Sequence, residues 1–221
     1  MNDTIVAMSK GHTVYRLLDG TRVPGVTTVL GVLAKPALIA WANRMGLRGI
    51  DTSKYVRDAA TAGTVAHYLI ECDLKGIKPD TSQFAPALVD LGENGYLKWL
   101  EWKRGKDIRL VLSEEPMVSE TFRYGGTPDA IVYLDGVLSL LDFKTSDSGI
   151  WPEMRHQVAA YDNLVKEHQI PVAQDIIIRL GKEDCAGFET ETVADIPLHF
   201  KMFRLALDIY DLQKQLKKGE R

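Results

Sequence analysis

The 221-residue sequence predicts an α/β fold in which a mixed central sheet has helices on both sides. Three observations lead to this prediction. Residues 36–104 carry the apolar spacing of helices, and residues 108–144 carry consecutive runs rich in Ile, Val, Leu, Tyr and Phe. After residue 150, helical and strand-like segments alternate. No linker divides the chain, so we expect one domain over residues 1–221, with residues 1–50 as an extension packed on its core.

The first predicted elements are short. An Asp19-Gly20 pair between two apolar runs of residues 11–30 predicts a hairpin or tight turn. Residues 36–46 predict a short helix, because Pro36 is favoured at the first position of a helix.

Two longer helices follow. Residues 53–75 repeat small and apolar residues at helical spacing, with Ser53 as the expected N-cap and Gly76 as the end. Residues 85–104 repeat larger apolar residues at the same spacing. The composition of residues 76–83 predicts a loop between the two helices.

The period of the apolar pattern changes after Gly105, where strands begin. The remaining predicted elements, in chain order, are strands at 108–118, 122–134 and 137–144, a helix at 152–168, strands at 174–180 and 187–194, and a helix at 197–217.

Composition excludes several classes of protein. The formal net charge is −3, with 27 basic and 30 acidic residues, which excludes a surface coated in positive charge but allows a local basic groove. The sequence has no apolar run of membrane-spanning length and no secretory pattern at its start, so we expect a cytoplasmic protein without membrane contact. Two cysteines, Cys72 and Cys185, are too few for a disulfide framework or a four-thiolate metal site.

A pair of aspartates carries the strongest functional signal. Asp135-Gly136 is a preferred pair for a two-residue type I′ hairpin loop. Counting outward from that loop places Asp129 directly across from Asp142 on one face of the sheet, and Lys144 points to the same face.

Two adjacent carboxylates repel each other unless a cation compensates them, and oxygen ligands suit Mg²⁺ or Mn²⁺. A lysine beside such a pair can stabilise a phosphoryl transition state. The alternative interpretation, a surface ion pair, is disfavoured because the flanking LSLLDF is too apolar for a solvent-exposed edge. The same acid-x-Lys spacing at 73–75 and 101–103 falls on predicted helices, and we interpret both of those segments as solvated surface.

Two helices add polar residues at spacings of one turn. Gly63, His67 and Glu71 share one helix face, and Gln157 and Tyr161 share another in the helix after the lysine. Each set alone is also compatible with ordinary interior residues. If His67 binds a metal, its second ring nitrogen needs an acceptor, for which Glu71 is a candidate.

Together these motifs resemble the PD-(D/E)XK nucleases of the RecB-like type. The resemblance is closest to the branch with phage-type exonucleases and the mitochondrial genome maintenance exonuclease, and it implies an αβββαβ core. It covers most of the chain, since VPGVTTVL and KPALIAW also resemble that branch. The matching residues are His67 in GTVAHYLIE, Asp129 in GGTPD, Asp142 and Lys144 in LLDFKTS, and Gln157 and Tyr161 in QVAAY.

The resemblance also implies roles for these residues. Lys144 would be the catalytic lysine, with Gln157 and Tyr161 holding it or the DNA strand in place. Glu115 matches an acidic position ahead of the aspartate, although Glu114 and Glu120 stand close by. Relatives with an iron–sulfur cluster need four cysteines, so none is expected here. The implied metal ligands are His67, Asp129, Asp142 and the main-chain carbonyl of Phe143.

The expected function is that of a Mg²⁺- or Mn²⁺-dependent exodeoxyribonuclease of phage or bacterial recombination and repair. Its expected partners are DNA and a phage or host recombination or replication protein. DNA contacts are expected from Arg123, Tyr124 and Thr145. For Arg123, the reason is that strand parity would put it on the face of Asp129. Basic clusters near the first helices and near Gly105 provide further positive charge.

Three alternatives remain open at this stage. The first is an accessory DNA-binding protein that keeps the fold without chemistry, and the second is a structure-specific endonuclease. The third, a sugar or nucleotide enzyme on another α/β fold, is disfavoured because no Gly-rich phosphate loop follows any predicted strand.

Overall fold

A computed structural model describes residues 13–146, 148–182 and 187–219 of the chain. The helices are α1 (Val26–Leu30), α2 (Pro36–Leu47), α3 (Thr52–Lys75), α4 (Pro86–Trp102), α5 (Pro152–Glu167) and α6 (Ile196–Gly219). The strands are β1 (Tyr15–Arg16), β2 (Arg22–Val23), β3 (Ile108–Ser113), β4 (Met117–Ser119), β5 (Tyr124–Gly126), β6 (Ala130–Leu134), β7 (Val137–Lys144), β8 (Gln174–Leu180) and β9 (Phe188–Thr192).

A five-stranded mixed sheet with the order β3-β6-β7-β8-β9 forms the centre of the fold. Its strands pair antiparallel except for β7 and β8, which are parallel and are connected through α5. Parallel neighbours need such a crossover. The predicted α/β class with a mixed, helix-flanked sheet is confirmed, and the order of helix, three sheet strands, helix and strand matches the αβββαβ core.

Helices cover both faces of the sheet because successive residues of its buried strands point to opposite sides. On one side, Ile131, Leu140 and Ile177 pack with apolar residues of α1, α5 and α6. On the other side, Leu141 and Ile178 pack with apolar residues of α3 and α4. The runs in these strands are therefore continuously apolar rather than alternating.

The β6–β7 hairpin has the predicted register. Asp135 and Gly136 both have positive φ, 49° and 85°, as a type I′ turn requires. Leu134 pairs with Val137, and the ladder continues outward to its last pair, Ala130 with Leu141. Asp129 therefore immediately precedes this ladder and Asp142 immediately follows it.

Two predicted strands are each broken in two. The segment 108–118 forms β3 and β4, because the chain turns at Glu114, whose φ is 52°. The segment 122–134 forms β5 and β6, and β5 pairs with β4 in a separate two-stranded sheet. The prediction of uninterrupted strands is wrong here, since the bend at Glu114 and the irregular residues 127–129 interrupt the apolar runs.

The structure also corrects two local predictions. The N-cap of α3 is Asp51, whose side chain accepts hydrogen bonds from the backbone N–H of Ser53 and of Lys54. The hairpin at Asp19-Gly20 forms as predicted, but the apolar run after it ends in the short helix α1 rather than in extended chain.

In the acid-x-Lys segment at 73–75, Lys75 is exposed, but Asp73 is not the solvated surface residue that the sequence had suggested. The Asp73 carboxylate accepts a hydrogen bond of 2.7 Å from the indole of Trp99, which is fully buried, and pairs with Lys103 at 2.7 Å. These contacts fasten α3 to α4. Helix periodicity places Asp73 on a face of α3, but it does not reveal which helix packs against that face.

Among the described residues, no helix has both the length and the apolar character needed to span a membrane. Cys72 is buried on α3, and Cys185 lies outside the described residues.

Candidate active site

The predicted pair of aspartates lies at the open end of the β6–β7 hairpin. The side chain of Asp129 reaches the neighbouring strand β7, where its Oδ2 accepts a hydrogen bond of 2.7 Å from the backbone N–H of Phe143. Asp142 is fully buried in β7. The hairpin thus holds two carboxylates side by side, as its turn and register require.

His67 of α3 approaches this pair from the adjacent layer. Its Nδ1 lies 3.3 Å from Oδ1 of Asp129, and its ring packs edge-on against Phe143 with the ring centroids 6.0 Å apart. Both side chains of the His67–Asp129 pair remain partly accessible. Burial raises the pKa of Asp129, but the proximity of His67 and Lys144 and the Phe143 amide outweigh it and lower the pKa.

Glu114 is the third acidic residue at the site. It follows β3, and its backbone N–H donates to the carbonyl of Asp129 at 3.1 Å. One potential ligand atom from each of His67, Glu114 and Asp129 lies within 4.8 Å of the others. Such a group could hold a metal ion.

The sequence pointed to Glu115, but Glu115 is exposed and lies outside this group. The signal that identifies Glu114 is its place opposite Asp129, one step beyond the paired residues Ser113 and Ala130. A register shift between Leu110 and Leu112 hides that signal from strand counting along the sequence.

Lys144 forms an ion pair with Oδ2 of Asp142. Burial and the charge of Asp129 raise the pKa of Asp142, and Lys144 opposes this increase. Oδ1 of Asp142 is buried without a hydrogen-bond partner among the described residues. A buried carboxylate oxygen with no donor is costly unless a cation reaches it, so the donor set at this site fits a divalent metal ion.

Tyr161 and Gln157 of α5 complete the polar cluster. Gln157 donates a hydrogen bond of 2.9 Å from Nε2 to the hydroxyl of Tyr161. Burial and the nearby charges of Asp142 and Asp129 raise the pKa of Tyr161 well above its usual value. Tyr161 therefore stays neutral and can act as a hydrogen-bond donor beside the carboxylates.

The two glycines of GGTPD make room for two tyrosine rings. A Cβ on Gly125 would lie 2.2 Å from Cγ of Tyr15, and a Cβ on Gly126 would lie 2.6 Å from Cε1 of Tyr161. The Tyr15 hydroxyl is also within 2.9 Å of Oγ1 of Thr127, two residues before Asp129. Sequence reasoning missed Tyr15, because no local pattern connects the first strand to this loop.

The three residues predicted to contact DNA have different surroundings in the structure. Tyr124 is fully buried, its hydroxyl donates to the carbonyl of Ala160 at 2.9 Å, and its ring packs on Phe203. The prediction that the Tyr124 side chain contacts DNA is therefore wrong, since the side chain belongs to the core.

Arg123 is exposed, but it has a φ of 60° and lies in a turn before β5. The parity argument that placed it on the face of Asp129 fails, because the two residues are not on one strand. Thr145 is half-buried, and its Oγ1 lies only 2.7 Å from where a Cβ on Gly63 would stand. Gly63 thus lets the end of β7 approach α3. Contacts of Arg123 and Thr145 with DNA stay predictions.

Two other predicted residues have different surroundings from those expected. Glu71 forms an ion pair of 2.6 Å with Lys75, one turn along α3, and within the described contacts it has no hydrogen bond with His67. Phe143 contributes its amide to Asp129, whereas the role of its carbonyl as a ligand stays a prediction.

A scan against protein-family models found no match, and a search of curated proteins found none either. Several solved structures are similar in three dimensions. SSO0001 is 18% identical to this chain at a TM-score of 0.34. The match covers 58% of this chain and 61% of SSO0001, which is less than two thirds of that protein's length.

A protein from Eubacterium rectale described as an exonuclease is 16% identical at a TM-score of 0.49, and the match covers 74% of this chain and 69% of that protein. The alkaline exonuclease LHK-Exo of Laribacter hongkongensis is 13% identical, with 73% of this chain covering 92% of it at a TM-score of 0.36. All three TM-scores are below 0.5.

Proposed function

We propose that this protein is a metal-dependent deoxyribonuclease that hydrolyses phosphodiester bonds. One observation carries the proposal: the carboxylates of Asp129 and Asp142, the ammonium of Lys144 and the imidazole of His67 meet at one end of the sheet. They come from three separate parts of the chain, and the carboxylates of the buried Asp142 and the partly buried Asp129 repel each other. Such an arrangement costs stability, and sites that retain it are typically functional.

The metal would be held by His67, Glu114 and Asp129, with Asp142 beside them. Carboxylate oxygens suit Mg²⁺ and Mn²⁺, and the imidazole nitrogen favours Mn²⁺. When bound, the ion would supply positive charge for the phosphate and a lower pKa for an attacking water.

The residues of the chain have separate roles in this proposal. The side chain of Lys144 is 16% exposed at the site, so its ammonium could reach a phosphate oxygen or an attacking water, and Asp142 orients it. Tyr161, which remains neutral, would donate a hydrogen bond to an oxygen at the site, and Gln157 positions its hydroxyl. Asp129 stays ionised and fixes the orientation of His67.

We further propose exonuclease activity on DNA in phage or bacterial recombination and repair. Support comes from the motif set that resembles the RecB-like branch. Exposed basic residues on and between α2 and α3, such as Arg44, Arg48 and Arg57, offer positive charge for a phosphate backbone.

The experiment uses end-labelled linear DNA, closed circular DNA and hairpin DNA, each with Mg²⁺, Mn²⁺ or EDTA. Mononucleotides released from linear DNA alone would support an exonuclease. Cuts in circular DNA would favour a structure-specific endonuclease, and binding without cleavage would favour an accessory DNA-binding protein.

Lys144→Ala and Asp142→Ala should each lose nearly all cleavage while the far-ultraviolet circular dichroism stays that of the native protein. Lys75→Ala is the matched control, because Lys75 stands in the same acid-x-Lys spacing but pairs with Glu71 on the surface of α3. Cleavage by Lys144→Ala at a tenth of the wild-type rate or more would contradict the proposed role.

A further inference from the structure

Helix α6 has two apolar faces, although a helix on the surface of a domain needs only one. Its inner face packs Phe203, Ala206 and Leu207 into the core. Its outer face carries a row of exposed apolar side chains that we name the α6 stripe: Leu198, Met202, Leu205, Ile209, Leu212 and Leu216.

The α6 stripe has the spacing of a coiled coil. Its members are separated alternately by four and three residues along the whole helix, which is the a and d pattern of a heptad repeat. All six are between 40% and 68% exposed, and no charged residue interrupts the row. Core packing of α6 explains only the inner face, and the described residues leave the stripe uncovered.

The exposed area fits a weak, reversible interface. The six side chains leave roughly 500–600 Å² open on each chain. In an antiparallel pair that sets Met202 against Leu205 of the second copy, Leu212 and Leu216 extend beyond the start of its α6. The other four side chains would bury roughly 700 Å² in total, which is typical of weak association. A scattered set of surface apolar residues would not form one continuous patch of this size.

Charge at the edge of the α6 stripe favours a second copy as the occupant. Lys201 and Asp208 are both exposed and flank the stripe at equivalent positions of successive heptads. When two α6 helices lie antiparallel with Met202 against Leu205 of the second copy, Leu198 meets Ile209 of that copy. In this register, Lys201 of each copy faces Asp208 of the other, whereas a parallel pair brings no opposite charges together.

We propose that the α6 stripe is a homodimer interface in which two α6 helices pack antiparallel. The antiparallel direction also places the N-terminus of each helix beside the C-terminus of the other, which the two helix dipoles favour. The interface is independent of the nuclease assignment, because no residue of the stripe lies in the candidate active site.

The test is the mass of the intact protein by light scattering and sedimentation, from about 1 to about 100 μM. The wild type is expected at twice the 24.7 kDa of the chain, with dissociation on dilution. Leu205→Glu should be monomeric over the same range while it keeps its circular dichroism, since this exposed side chain is not needed for the core. Leu97→Glu, an equal change at an exposed leucine of α4, should remain dimeric.

A charge swap tests the direction of the helices. Lys201→Glu should weaken the dimer, because it places a second negative charge against Asp208 of the other copy. The double variant Lys201→Glu with Asp208→Lys should restore the dimer. A wild type that is monomeric at the highest concentration would overturn the proposal. A monomer whose stripe binds a helix of another protein would overturn it as well. A trimer, or a dimer unaffected by Leu205→Glu, would overturn it equally. Failure of the charge swap to restore the dimer would overturn the antiparallel arrangement.

Discussion

Replacing Gly126 by alanine should displace the ring of Tyr161 and thereby distort the candidate active site. Gly126 is the last residue of β5, and the added methyl group would lie 2.6 Å from Cε1 of Tyr161 and 2.9 Å from Cδ1 of Leu164. Ordinary carbon contacts are about 3.5–4.0 Å, so these neighbours must move by about 1 Å. Both are buried, and neither can turn into solvent.

The expected cost follows from that overlap. Overpacking of this kind destabilises by roughly 1–3 kcal/mol, which corresponds to a melting temperature lowered by roughly 3–10 °C in a chain of this size. Because Tyr161 lies beside Asp142, a ring displaced by about 1 Å should also lower cleavage by roughly a hundredfold. Activity should fall further than the loss of folded protein explains.

A double-mutant cycle with Tyr161→Val identifies the cause. The free energies of unfolding from urea titrations should give a coupling of about 1 kcal/mol or more, since removing the ring relieves most of the overlap. Gly46→Ala is the control, because a Cβ there would meet nothing within 4 Å on helix α2, and it should be neutral or slightly stabilising. If Gly126→Ala were as stable and active as the wild type, or equally costly without the Tyr161 ring, the packing argument would be refuted.

Three further predictions concern single carboxylates. Glu114→Gln should weaken Mn²⁺ binding roughly tenfold or more in a calorimetric titration, whereas Glu115→Gln should not; equal affinities would remove Glu114 from the site. Burial and Asp162 raise the pKa of Asp175 from 3.8 to about 7, so the stability due to its bound proton is lost as the pH rises from about 4 to about 7. Asp175→Asn should therefore gain roughly 2–3 kcal/mol more over the wild type at pH 8 than at pH 5 in urea titrations, and a gain independent of pH would contradict this. Asp73→Ala should cost roughly 2–3 kcal/mol because it leaves the buried Trp99 indole without an acceptor, and Asp73→Asn should cost less; equal losses by thermal unfolding would count against that explanation.

Local chemistry explains why much of the fold could be predicted. The Asp135-Gly136 pair has the backbone conformation that its residue types favour, and the register that follows brings Asp129 and Asp142 to the end of one hairpin. Gly76 ends α3 with a φ of 66°, as a C-terminal glycine does. In each case the determining residues are neighbours in the sequence or are connected by one tight turn.

Segments of low regularity could not be predicted in the same way. The interruption at Glu114 and the turn at Arg123 lie within apolar runs, so period counting continues across them. The register shift between Leu110 and Leu112 places Glu114, rather than Ser113, opposite Asp129, and Glu114 is a member of the group that could bind a metal. A one-residue shift turns every later side chain to the other face.

By itself, the sequence determined the α/β class, the approximate bounds of the longer helices and the bounds of β7 and β8, and the pairing of Asp129 with Asp142 and Lys144 across one hairpin. Tertiary structure alone decided which surfaces meet: that Asp73 fastens two helices, that Tyr124 belongs to the core, that Tyr15 packs on Gly125, and that α6 keeps an apolar stripe uncovered. The physical reason is that apolar periodicity and turn chemistry act over a few residues, and they specify the face that a side chain occupies. What lies against that face depends on contacts between elements far apart in the chain, and a single sequence does not encode those contacts in any local pattern.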